Sequence, residues 1–245
     1  MQQAVIRALM KVRPRQIRYD AEDGAIFREV FEHPRYRDLD ETAQMALALE
    51  WAAKLYQIEL EQPQFDQFFG SLDLQSHLAG AAMLDIGCYL GGRTVRWLER
   101  YRAAAIHGID IDPRFIRVAT RFAESRGARA TFGVTFAEDL PHPDASFDAI
   151  ISENTFEHVR DIRRVMAECA RVLRPRGLLI VIFPPFWGPS SHHLDLVTRT
   201  PFLHWVFSYP ALLKAYLSIL DERGPDAAWY RRKDERPLPF ERGAR

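Results

Sequence analysis

The chain reads as an α/β protein: a doubly wound, mostly parallel sheet preceded by N-terminal helices and followed by an aromatic C-terminal helical segment. Three observations carry that reading. From Ala81 onward, short apolar runs of strand length alternate with amphipathic stretches of helix length, the pattern of a parallel sheet with covering helices. The first run, Met83-Leu84-Asp85-Ile86, ends in Gly87-Cys88-Tyr89-Leu90-Gly91-Gly92, a glycine-rich turn that opens a helix and lets backbone approach a ligand. Finally, 245 residues with 47% hydrophobic content suffice for a full core.

Residues 1–80 read as a helical extension. Its clearest helix runs from Glu41 or Thr42 to about Glu61, with Met45, Leu49, Ala52, Ala53 and Tyr56 at helical spacing, Asp40 as N-cap and Pro63 as stop. A shorter helix from Gln64 to about Leu74 carries Phe65, Phe68, Phe69 and Leu72 on one stripe, expected to pack on the sheet or over the cofactor mouth. Lys11 to Asp40, charged and punctuated by Gly24 and Pro34, reads as a looser lead-in.

The core, 81–185, is predicted as strand Ala82–Ile86, helix Gly92–Arg102, strand Ala104–Ile109, helix Pro113–Arg126, strand Ala130–Phe136, strand Phe147–Ser152, helix Ile162–Leu173 and strand Leu178–Phe183. Asp112-Pro113 supplies an N-cap and a proline at the first helical position, and Pro175-Arg176-Gly177 breaks the chain before the last strand. Residues 186–223 read as an aromatic loop and two short helices interrupted by Pro201 and Pro210, and 224–245 as a charged tail.

Composition weighs against several function classes and disfavours a nucleic-acid substrate without excluding it. Thirty-three basic and thirty-three acidic side chains give no net charge, so no broad electrostatic grip on nucleic acid is expected. Cys88 and Cys169 stand alone, without disulfide or CxxC spacing, and read as packing residues of a reducing compartment. The opening decapeptide is too short and too charged for a secretory signal, and no apolar run reaches the ~20 residues of a transmembrane segment. A cytoplasmic protein is expected.

In an open α/β sheet, ligands bind at the carboxyl ends of the strands near the point where strand order reverses. That rule selects Asp85, Gly87 and Gly91 after the first strand. Asp110 follows the second, 23 positions beyond Gly87, close to the spacing at which a carboxylate accepts from two ribose hydroxyls. Ile111 offers an apolar face to an adenine ring, Ala137-Glu138-Asp139-Leu140 reach its edge, and Glu153 and Asn154 lie beside the reacting end. A dinucleotide site would want glycines at 87, 89 and 92, so Tyr89 departs from it. It departs equally from the alternating pattern 87, 89, 91. Asp85 weighs against the dinucleotide, because dehydrogenases commonly carry an apolar residue there.

Further segments follow in one order: Leu84-Asp85-Ile86-Gly87-Cys88, His107-Gly108-Ile109-Asp110, Ala137-Glu138-Asp139-Leu140-Pro141 with Ser146-Phe147-Asp148-Ala149-Ile150-Ile151-Ser152, Phe156-Glu157-His158-Val159, and Arg171 to Leu179. Together, over about residues 80–185, they resemble the Rossmann-like class I S-adenosylmethionine-dependent methyltransferases. The resemblance implies S-adenosylmethionine as cofactor, its methionine part held by Asp85 and the turn Gly87, Cys88 and Gly91, its ribose by Asp110, and its adenine by Ile111, Ala137 and Glu138, with Glu153 beside them. Two departures stand out. Tyr89 replaces a glycine that allows close approach, so either its backbone has negative φ with the ring turned away, or binding is impaired. The tail after Gly224 lacks the late antiparallel hairpin of the family, and together with Tyr89 it favours the reading as a cofactor-binding regulator.

Methyl transfer needs a base only where the acceptor loses a proton, and His192, His193 and His158 are the catalytic candidates because histidine titrates near working pH. No metal site is expected. Ser152-Glu153-Asn154-Thr155-Phe156 is not the Asn/Asp-Pro-Pro-aromatic tetrad of amino-directed nucleic-acid methyltransferases. The acceptor is therefore expected to be a small molecule, with a sugar-like hydroxyl as one option. The aromatic segment from Phe183 to Leu220 reads either as a lid for it or as a segment packed against the N-terminal helices, and it lacks the basic face of a membrane-surface helix. The alternatives are a cofactor-binding regulator of the same fold, or an NAD(P)-dependent oxidoreductase.

Overall fold

Alternate side chains of the first strand point to opposite faces, and that period of two builds the core in two layers. The computed structural model describes residues 1–14, 31, 39–184, 188–189, 194 and 197–223. In chain order the elements are α1 (Gln2–Met10), α2 (Glu41–Glu61), α3 (Gln64–Phe69), α4 (Leu74–Leu78), β1 (Ala82–Ile86), α5 (Gly92–Tyr101), β2 (Ala105–Asp110), α6 (Pro113–Ser125), β3 (Ala130–Val134), β4 (Phe147–Glu153), a 3-10 turn (Phe156–His158), α7 (Ile162–Val172), β5 (Leu173–Ile182), α8 (Leu203–Val206) and α9 (Tyr209–Glu222).

The five strands are all parallel, in the order β3-β2-β1-β4-β5. Strand order therefore reverses between β1 and β4, where Met83, Leu84 and Asp85 pair with Ala149, Ile150 and Ile151. On one face Met83, Ile106 and Ile151 join Trp97 and Tyr101 of α5 and Phe65 of α3; on the other Leu84, Ile86 and Ile150 join Val165, Cys169 and Val172 of α7. Ser152 Oγ donates to the Ile86 carbonyl at 2.8 Å and ties β4 to β1 at the strand ends. The predicted caps form: Asp40 Oδ1 accepts from Ala43 N, and Asp112 Oδ1 from Arg114 N, both at 2.8 Å.

Four expectations need correction. The last strand begins at Leu173, not after the Pro175-Arg176-Gly177 break. Leu173 pairs with Phe147 and Leu178 with Ala149, so residues 174–177 bulge outward, with Arg176 at φ +67° and Arg174 Nη1 on Asp148 Oδ1 at 2.6 Å. The second helix is two: α3 ends at Phe69 and α4 begins at Leu74. Of its aromatic stripe only Phe65 is fully buried, while Phe68 and Leu72 face solvent. The buried stripe of α2 is Met45, Ala48, Trp51, Ala52 and Glu59, rotated from the expected one; Ala53 is exposed. Finally, the chain divides into two compact units, Asp40–Phe183 and a second one joining Met1–Leu39 to Pro184–Ala244. These limits differ from the expected boundaries at 80, 185 and 223, because α2, α3 and α4 pack on the sheet unit while α1 packs along α9.

The second unit has its own core of Ile6 and Met10 from α1 with Leu203, Leu212, Tyr216 and Ile219. Pro201 precedes α8 and Pro210 sits in the first turn of α9, where its missing N–H costs nothing. No helix among the described residues is long and apolar enough to cross a membrane.

Candidate active site

Asp85 ends the buried side of β1 with no charge partner in contact among the described residues. Thr94 Oγ1, one turn into α5, donates to its Oδ2 at 2.5 Å. Burial pushes the carboxyl up to about 7; the Thr94 hydrogen bond opposes the shift, the charges of Glu153 and Asp110 add to it, and Arg93 again opposes it.

Glu153, the last residue of β4, lies across the reversal point. Its side chain is only 6% exposed and its Oε1 meets Arg93 Nη1 at 3.0 Å. Its Oε2 is buried with no hydrogen-bond partner among the described residues, as is Arg93 Nε. Burial raises its pKa against the pull of Arg93. Glu59 of α2 joins this group: it is fully buried, its Oε1 accepts from Gln64 N at 3.1 Å, and burial raises its pKa, opposed by the Trp97 side chain and that amide. Glu153 and Arg93 act on Glu59 through charge. One guanidinium thus pairs with Glu153 and acts through charge on the buried Asp85 and Glu59. Sequence reasoning selected Asp85 and Glu153 but missed Arg93, Glu59 and Thr94. Two signals were available: a cation in the first turn of a helix, where the dipole disfavours it, and a glutamate on the apolar stripe of α2.

The turn after β1 is clamped to β2 by the amides of Gly87 and Cys88, which both donate to the Ile109 carbonyl at 2.8 and 2.9 Å. Gly87 and Gly91 have φ of +85° and +76°. The expected close approach at these glycines is made by the protein itself. A Cβ on Gly91 would lie 2.7 Å from Ala119 Cβ of α6, one on Gly92 would overlap the Ala52 carbonyl of α2, and one on Gly87 would overlap the Thr155 side chain. Helix packing against the turn is thus reason enough for glycine. Tyr89 does not take the negative φ of the first expectation: its φ is +49°, and its ring meets Phe115 edge-on at 4.5 Å. Its amide donates to Asp110 Oδ2 at 3.1 Å. Cys88 is buried and its thiol is pushed well above its ordinary value by burial, so that residue offers backbone rather than a nucleophile.

Asp110 ends β2. Its Oδ1 accepts from Asp112 N and its Oδ2 from Tyr89 N, both at 3.1 Å, and burial raises its pKa against these bonds. Each oxygen keeps a lone pair for a hydroxyl donor. Ile111 beside it is 64% exposed. Ala137 is buried, whereas Glu138 engages Oε1 with the amides of Arg160 at 2.8 Å and Asp161 at 3.4 Å. The loop carrying them is pinned by Arg171 of α7, whose Nη2 donates to the Leu140 carbonyl at 2.9 Å and Nη1 to that of His142 at 2.7 Å.

His158 lies in the 3-10 turn after β4, with an exposed side chain and Nε2 3.8 Å from Glu157 Oε1. His192 and His193 lie outside the described residues. Among the described residues no group of three His, Cys, Asp or Glu side chains is placed to hold a metal ion.

The acceptors of the site suit a ligand with positive charge near a pair of hydroxyls and a flat ring: Glu153 Oε2 is buried without a hydrogen-bond partner among the described residues, the Asp85 carboxyl is buried, Asp110 keeps lone pairs and Ile111 is exposed. A family model described as a methyltransferase domain matches residues 84–181. A demethylmenaquinone methyltransferase of Thermus thermophilus is 30% identical over 170 residues, 69% of each chain. Methyltransferase GfsG of Streptomyces halstedii is 36% identical over 166 residues, 64% of this chain and 58% of its own, so this chain spans less than two thirds of it. Among solved structures, a SAM-dependent methyltransferase from Methanosarcina mazei aligns over 43% of this chain and 55% of its own, with 31% identity and a TM-score of 0.39.

Proposed function

Because this chain belongs to the class I S-adenosylmethionine-dependent methyltransferases, with S-adenosylmethionine as its cofactor, we propose that it methylates a small organic molecule at the carboxyl ends of β1, β2 and β4. The cofactor supplies a methyl group on a positively charged sulfur, open to in-line attack. The residues of the chain bind and orient. Asp85 and Glu153 place buried carboxyls at the reversal point, where burial opposes their ionisation and Arg93 favours it, so a cationic ligand there would stabilise their charged forms. Asp110 accepts from the ribose hydroxyls while the Tyr89 and Asp112 amides fix its rotamer. Ile111 gives the adenine an apolar face. Cys88 contributes backbone, and Ala137 and Glu138 border the adenine edge.

For a hydroxyl acceptor, His158 is a candidate to hold the released proton; His192 and His193 remain the other two. A regulator of the same fold without turnover is the alternative favoured by Tyr89 and by the tail after Gly224. The left-handed backbone of Tyr89 and its ring on Phe115 keep its bulk with α6 rather than over the turn, which supports turnover instead.

The observation that carries the acceptor class is charge. Residues 40–183 hold 20 acidic against 16 basic side chains, so the catalytic unit repels a polyanion. The Thermus relative, by its name, acts on demethylmenaquinone. The test is transfer of tritiated methyl from S-adenosylmethionine by the full chain to phenols, sugars and amines in parallel with transfer RNA and duplex DNA. Label in the small-molecule fraction supports the proposal, and label confined to nucleic acid refutes it.

A further inference from the structure

The unit formed by α1, α8 and α9 has a surface that the catalytic reading does not use. Helix α1 is apolar on two sides. Ile6 and Met10 enter its core, while Met1, Val5, Ala8 and Val12, spaced at i, i+4, i+7 and i+11, form a second stripe that is exposed. The segment from Thr198 to Ala211 is fastened along the same helix: Arg199 N donates to the Arg13 carbonyl at 2.7 Å, Thr200 Oγ1 to that of Leu9 at 2.8 Å, and Gln3 Nε2 to that of Ala211 at 3.1 Å. Leu203 of α8 shares one core with Ile6 and Met10 of α1. Helix α8 adds Trp205 at 53% exposure and Val206 at 73%, next to an exposed Phe202. Phe202 itself takes a left-handed backbone, φ +63°, with its amide donating to the Pro189 carbonyl and its ring 4.7 Å from that of Trp205. A bulky residue in that conformation is strained, and here the strain keeps an aromatic pair on the surface.

Charge decides the occupant. The described residues 1–14 and 197–223 carry Arg7, Lys11, Arg13, Arg199, Lys214 and Arg223 against only Asp221 and Glu222. Glu222 is already paired with Arg7 and Lys11. Over the whole chain, residues 1–39 with 184–245 hold 17 basic and 13 acidic side chains, the mirror image of the acidic catalytic unit. Taken alone, the aromatic segment lacks a basic face; the described residues of the unit as a whole carry more basic than acidic side chains. Exposed aliphatic residues, a tryptophan and surrounding cations are what an interface of anionic lipid headgroups takes up.

We propose that this unit docks the protein on an anionic lipid surface, with Trp205, Val206 and Phe202 entering the headgroup layer and the α1 and α9 cations facing the lipid charge. The test is sedimentation of the full chain with vesicles of equal parts phosphatidylglycerol and phosphatidylcholine, and with phosphatidylcholine alone. Binding is expected on the anionic vesicles only, and to fall with added salt. Arg199→Gln with Lys214→Gln should weaken it about fivefold per charge removed, and Trp205→Ala about tenfold by lost apolar contact. Thermal midpoints of the variants check that they fold. No binding of the wild type at low salt, or equal binding by the wild type and both variants, overturns the proposal. So does a lipid-independent dimer that Trp205→Ala splits, which would assign the surface to a second copy of the chain.

Discussion

Replacing Asp85 with asparagine keeps the side chain's shape and its acceptor for Thr94, and removes a carboxyl that the fold can ionise only out of water. In the folded chain, burial lifts that carboxyl from 3.8 to about 7. At about 1.4 kcal/mol per pH unit, the charged form costs the ligand-free fold about 4 kcal/mol relative to the unfolded chain. Because the folded value lies above the unfolded one, this contribution to stability is fully present below about pH 4 and is lost as pH rises to about 7. The charges of Glu153 and Asp110 help to raise Asp85, so removing it eases them too, and about 4 kcal/mol is the upper end. Urea unfolding of the ligand-free proteins at pH 5 and pH 8 measures the effect. Asp85→Asn should lose less stability than the wild type between the two pH values, by about 1.5–2.5 kcal/mol, because part of the full effect is already lost at pH 5. Losses that agree within about 0.5 kcal/mol would show that Asp85 ionises freely and would refute the electrostatic picture of the site.

Arg93→Met should leave Glu153 buried without its cation and cost about 3 kcal/mol in urea unfolding, with most of it recovered when Glu153→Gln is added. Gly91→Ala, at φ +76° with Ala119 only 2.7 Å from the new Cβ, should cost about 2 kcal/mol or more. Gly80→Ala, at a similar φ of +72° but with open space around it, should cost only the backbone strain, about 1 kcal/mol, and thermal melts rank the two. Glu59→Gln, which keeps an acceptor for the Gln64 amide, should be more stable than the wild type at pH 8 and no more stable at pH 4, because burial raises the glutamate and its charge opposes folding only at the higher pH.

The sheet was legible in the sequence because each strand is a short apolar run bounded by its own punctuation, and the Asp-Pro pair at 112–113 marks a helix start in both. The start of β5 was not. Pro175 and Gly177 look like a break, yet Leu173 pairs ahead of them because a bulge carries residues 174–177 out of the ladder. Helical spacing also cannot show which side of a short helix is covered. Phe65 meets Trp97 at 4.8 Å between ring centres, while Phe68, on the same predicted stripe, faces solvent. At the site, the carboxylates at strand ends followed from topology alone. The partners that set their charge did not: Arg93, Thr94 and Glu59 come from helices whose rotation about their axes is fixed by tertiary packing. The glycines of the turn were identified for ligand approach, and each is also closely packed by the protein: Gly87 by Thr155, Gly91 by Ala119 of α6 and Gly92 by the Ala52 carbonyl of α2. Tyr89 shows a tyrosine tolerated at φ +49° when its ring and its amide both find partners.

The central claim is that S-adenosylmethionine binds at the carboxyl ends of β1, β2 and β4 with its ribose on Asp110. Calorimetric titration of the full chain with S-adenosylmethionine, beside NAD and beside the Asp110→Ala variant, tests it most directly. One molecule of S-adenosylmethionine should bind per chain, NAD should not bind, and Asp110→Ala should weaken the affinity by about tenfold or more through loss of two charge-assisted hydrogen bonds. Saturation by NAD, or an affinity for S-adenosylmethionine that Asp110→Ala leaves unchanged in a folded variant, would contradict the account.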